Sequence, residues 1–175
     1  MAVLYQSHAP VTRTELPWAV RQGALAGVVA GVVFAAFEMA ATAAIAGWAA
    51  AGQPLRMFGA IVLGPMALEP TYPLATAALV GLVAHLVLSA VYGAVFAVAA
   101  AGLRPRPALI GLATLYGLAL GLLNFYVIAP AAFPWFRETS PIVQFVAHTF
   151  FFGSMLGYAI WRAHEGLLRR AALNR

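Results

Sequence analysis

The sequence predicts an all-α integral membrane protein, a four-helix transmembrane bundle running up-down-up-down with both termini inside. Three observations predict it. Of 175 residues, 63% are hydrophobic and 9% charged, whereas a soluble domain carries about 25% charged and 45–50% apolar residues. The charges are ten Arg and five Glu, with no Lys or Asp, too few to clothe a surface in water. Four apolar stretches each reach the roughly 20 residues needed to cross a hydrocarbon core ~30 Å thick. Strand-like alternation is missing, which argues against a barrel, and high hydrophobicity excludes disorder. With no cysteine, disulfides, thiolate metal sites and thiol catalysis are excluded together.

Residues 1–18 are polar and Pro-containing, and are expected to form a flexible cytoplasmic tail. The first span covers about 23–50. Arg13, Arg21 and the small-residue stretch Ala41-Thr42-Ala43 resemble a signal peptide, but the apolar run is about twice a normal h-region, so the span is expected to be retained. The link from Gly52 to Pro73 has an apolar middle, Leu55 to Leu68, broken by Arg56 and Pro65. It is too short to span and predicts an interfacial or shallow re-entrant segment.

The second span covers about 75–102. A Pro-rich turn, Gly102 to Pro107, then forces antiparallel neighbours. The third span covers about 108–130, and the loop after it places Phe133, Trp135 and Phe136 where aromatic rings collect at a membrane–water interface. The fourth covers about 142–161. Residues 162–175 continue as a basic cytoplasmic tail suited to lipid headgroups, and the whole chain, 1–175, forms one membrane domain.

Arginine counting sets the orientation. Arg13, Arg21, Arg104, Arg106, Arg162, Arg169, Arg170 and Arg175 fall on one side, against Arg56 and Arg137 on the other. Both termini are therefore expected in the cytoplasm of a bacterial-type inner membrane. The net charge of +5 reads as a topology and anionic-lipid signal with no call for nucleic acid.

Ionisable groups inside spans are expensive and point to function. They are Glu38, His85 and His148, joined by Asn124. Counted along alternating helices, the four fall within ~10 Å of one another in depth, and predict a buried polar layer in the outer half of the bundle. Helical spacing puts Gly27 and Gly31 on the face of Glu38, and Gly117 and Gly121 on that of Asn124; G-x-x-x-G faces pack closely. His85 shares a face with Gly81, Ser89 and Tyr92, and His148 with Gln144 and Met155. A short echo, Val83-Ala84-His85 and Val146-Ala147-His148, hints at two related halves.

Three uses of the layer follow. As polar adhesive, it suits a non-catalytic subunit or stabiliser that self-associates or joins other membrane-protein subunits within the lipid bilayer. As a cofactor site, His85 and His148 become axial ligands of a b-type haem, or with Glu38 the three ligands of Zn or Fe. As a path, Glu38 and a histidine pass protons or a solute. No P-loop, dinucleotide fingerprint, nucleophile elbow or H-E-x-x-H is present, so an enzyme would need chemistry at this layer. The pattern resembles small four-span bacterial inner-membrane proteins, and the paired histidines resemble those of small b-type cytochromes. The four-histidine arrangement of the two-haem families is lacking, so no residue role is carried over.

Overall fold

A computed structural model describes residues 16–101 and 106–173, leaving aside the side chains of 167–172. The expected tail up to residue 15, the turn at 102–105 and the arginines Arg13, Arg104 and Arg175 lie outside the described residues. The described residues form helices joined by short turns, with no strand among them, and four helices are long and apolar enough to cross a membrane.

The helix α1 spans Leu16–Ala46, beginning and ending earlier than the hydrophobic run suggested. Its first turn takes Pro17 without loss, because N–H groups there have no intrahelical partner. It stops at Gly47, whose φ of +88° is open to glycine and costly for other residues. After a short 3-10 turn, α2 spans Gln53–Leu63 and ends at Gly64, again with positive φ. Helix α3 spans Leu74–Ala99.

Helix α4 spans Arg106–Ala132, with a π-helical stretch at Asn124–Ile128. That wide turn precedes Pro130, whose ring would otherwise press on a carbonyl four residues back. Helix α5 opens at Pro141, capped by the Ser140 hydroxyl. It passes through a second π-helical stretch, Ala147–Ser154, and continues as Met155–Leu173. The expected basic tail is thus a direct extension of the last span.

The bundle is two tight pairs. In the first, α1 lies antiparallel to α3 with backbones nearly touching. A Cβ on Gly27 would strike the Ser89 carbonyl, and one on Gly23 the Gly93 carbonyl. In the second, α4 lies antiparallel to α5: a Cβ on Gly117 would strike the His148 carbonyl, and one on Gly121 would come within 3.0 Å of the His148 Cβ. Each histidine of the echoed tripeptide thus lies against a glycine near the same end of its pair.

Between the pairs large rings make part of the contact. Phe37 stacks on Phe151 at 4.0 Å, and Phe96 meets Tyr116 at 5.2 Å. The two links, residues 47–73 between α1 and α3 and 133–140 between α4 and α5, lie at one end of the bundle. There α2 folds back against the start of α3, where Cβ atoms on Gly59 and Gly81 would strike the carbonyls of Ala77 and Leu55. Trp135 of the other link donates its indole N–H to the Met57 carbonyl at 3.1 Å, so this interfacial ring also ties the pairs together. At the opposite end Trp18 stacks on His164, and Arg106 lies over Trp161.

Candidate functional site

Phe34 and Glu38 stand one turn apart on the buried side of α1. The Glu38 Oε1 accepts a hydrogen bond from the Gln144 Nε2 of α5 at 2.8 Å. The Gln144 carbonyl in turn pairs with His148 Nδ1 at 3.0 Å. With that nitrogen donating, His148 Nε2 keeps its lone pair. On α3, His85 donates from Nε2 to the Gly31 carbonyl at 2.9 Å. The absent side chain at Gly31 permits this, since a Cβ there would strike the Ser89 hydroxyl beside the imidazole. Asn124 is half-buried and accepts from the Tyr92 hydroxyl at 3.1 Å.

Two cavities adjoin these groups. One, of about 30 Å³, is lined by His85, Asn124 and His148 together with Phe34, Phe58 and Tyr92. It brings three members of the expected layer to one space, large enough for about two waters. Glu38 is outside its lining and connects to His148 only through Gln144. The second, of about 260 Å³, lies between α4 and α5. Phe125, Phe136 and Phe145 contribute to its walls, and Gln144, His148 and Thr149 are its polar lining from α5.

The cofactor expectations meet obstacles here. Among the described residues no three His, Asp or Glu side chains are grouped to hold a metal, so Glu38, His85 and His148 do not form a three-ligand set. Instead both imidazoles pack on Phe34, whose ring centroid is 5.1 Å from that of His85 and 4.8 Å from that of His148. The same ring, with a cavity of about 30 Å³, leaves no space for a haem between the histidines.

Three side chains carry more than the sequence reading gave them. Gln144, noted only as a face-mate of His148, is the partner of Glu38. Thr149 is buried, and its hydroxyl has no hydrogen bond. In a regular helix a threonine bonds the carbonyl four residues back, as Thr114 does to Ile110 at 2.8 Å; Thr149 lies in a π-helical stretch instead. The Gln144 Oε1 is likewise buried and unpaired. Arg56, read as a break in the apolar link and counted for orientation, is 8% exposed and donates to the Tyr72 carbonyl at 2.8 Å. An arginine in an apolar link is the one signal that could have marked it.

An all-helical membrane bundle with a bonded polar interior and a side cavity is the class these features define. No known family, no curated protein and no solved structure matches the chain.

Proposed function

We propose that this chain is a small polytopic protein of a bacterial-type inner membrane, both termini cytoplasmic, acting as a non-catalytic subunit or stabiliser. Its partner is another membrane protein or a second copy of itself. The observation that carries this reading is a ridge of small residues left open on α1. Ala36, Ala40 and Ala44 recur at every fourth residue and are exposed, and such a ridge lets a further helix approach closely. Gly23, Gly27 and Gly31 on the same helix are occupied by α3, so the alanines are the surface left for a partner. The interior supports a non-catalytic role, because Glu38, His85 and Asn124 spend hydrogen bonds within the chain.

Cysteine crosslinking tests the proposal, since the chain has no cysteine of its own. In native membranes Ala36→Cys and Ala40→Cys should each give a crosslinked species. Leu115→Cys, equally lipid-facing on α4 at 63% exposed, should not. Ala40→Trp should abolish the crosslink formed through Ala36→Cys. A lone monomer with no crosslink at either position overturns the reading, and a coloured or metal-loaded monomer would replace it with a redox role.

A further inference from the structure

The cavity between α4 and α5 has the properties of a ligand site. At about 260 Å³ it exceeds the ~150 Å³ cavity that accepts a benzene molecule in a protein core, and Phe125, Phe136 and Phe145 line it. Against these rings the lining also carries Tyr126, Arg137, Thr139 and His148, together with Gln144 and Thr149, whose Oε1 and Oγ1 are buried without partners. Buried polar atoms are normally paired, so two orphans on residues that line one cavity mark a place where a turn of either side chain would offer a hydrogen bond to an occupant. Both flanking helices also leave α geometry there, through π-helical stretches at Asn124–Ile128 and Ala147–Ser154. Such stretches occur often at functional sites.

The orphans specify the ligand. A carbonyl oxygen can only accept, so the Gln144 Oε1 demands a donor. Glu38 enforces this, because its bond to the Gln144 Nε2 occupies the donor end of the amide and leaves the acceptor end free. An acyl chain offers no donor. The Thr149 hydroxyl can meet a ligand oxygen either way. Around the cavity Leu122, Phe145 and Tyr126 are 52%, 49% and 68% exposed, so an occupant's tail would leave into lipid rather than into water.

We infer that this cavity binds the ring of a membrane-soluble hydroxy-aromatic, a hydroquinone or phenol with an apolar tail. A ring hydroxyl donates to Gln144 Oε1, a ring oxygen pairs with Thr149, and the ring packs among the phenylalanines. Glu38 is a positioning residue that sets the preference for a donor. The inference does not depend on the partner proposed above, because the cavity is built from one chain.

Binding is measured with the full chain in phosphatidylcholine–phosphatidylglycerol nanodiscs, against empty discs. The probes are 2-decyl-1,4-hydroquinone, kept reduced, and its dimethyl ether, which has the same ring without donors. The hydroquinone should bind saturably, and the ether about tenfold more weakly, as for one lost hydrogen bond. Thr149→Val should weaken hydroquinone binding by about tenfold without lowering thermal stability, because it removes an unpaired hydroxyl. Leu122→Trp, on the exposed wall, should fill the cavity and remove binding while helicity is retained. Glu38→Gln should narrow the gap between the two probes, since the Gln144 amide is then free to turn. Partition no greater than into empty discs, equal binding of the ether, or full binding by Leu122→Trp each overturns the inference. Equal binding of the ether would assign the cavity to an apolar tail.

Discussion

A carboxyl group in the interior of an apolar bundle has to be met by a donor, and Glu38 shows how little is needed. One amide, Gln144 Nε2, reaches Oε1 at 2.8 Å. The energetics of such a pair are asymmetric: the bond itself contributes about 0.5–1.5 kcal/mol, whereas orphaning one buried partner costs about 1–3 kcal/mol or more. Gln144→Leu should therefore lower the unfolding midpoint in detergent by the larger amount. The double variant Glu38→Leu/Gln144→Leu should recover most of that loss, since it removes both polar groups. A thermal melt of the two variants decides it, and a double variant less stable than Gln144→Leu would show that Glu38 has another partner. His85 illustrates the same rule, its acceptor being a backbone carbonyl uncovered by Gly31. This is why counting depth could place Glu38 and the histidines near one another without finding their bonds. The partners are an amide on another helix and a main-chain oxygen, and Phe34, against which both imidazoles pack, is one more apolar residue in an apolar run.

At the scale of the helices, glycine marks where backbones meet only when the opposite surface is known. Gly117 and Gly111 lie on the same helix and look alike in sequence. A Cβ on Gly117 would strike the His148 carbonyl and come within 2.8 Å of the Gly153 Cα, whereas one on Gly111 would meet nothing within 4 Å. Gly117→Ala should accordingly cost about 1–3 kcal/mol by overpacking. Gly111→Ala should be neutral or raise stability by up to about 1 kcal/mol, as glycine gives way to a better helix former. Detergent unfolding of the two variants measures this, and equal destabilisation would place the α4–α5 contact elsewhere. The spans themselves were legible because long apolar runs have few alternatives. The start of α1 at Leu16 was not, since its first turns carry Pro17, Arg21 and Gln22 and no hydrophobic run. The π-helical stretches were equally hidden: they leave no composition signal, yet they line the side cavity, and one of them holds Thr149 with its hydroxyl unpaired.

For the molecule as a whole, the interior sets the pairing of helices while charge at the two ends sets orientation. The end carrying the termini presents exposed Arg21, Arg106 and Arg162 among the described residues. The link end has Arg137 exposed, but Arg56 is buried and bonded to the Tyr72 carbonyl. A guanidinium held inside the fold presents less charge to the membrane surface than a free one, so the asymmetry is steeper than a count of arginines suggests. Because cytoplasmic segments gather the positive charge, the link end should face away from the cytoplasm. The exposed acidic residues Glu69 and Glu138 lie on the two links, and as single cysteines they give positions that can be labelled without a competing thiol. In intact cells, Glu69→Cys and Glu138→Cys should react with a membrane-impermeant maleimide. Gly166→Cys, exposed on the far extension of α5, should react only after the cells are opened. The reverse pattern would invert the orientation. Reaction of Glu69→Cys alone would separate the two links, contradicting the Trp135–Met57 bond that holds them at one end.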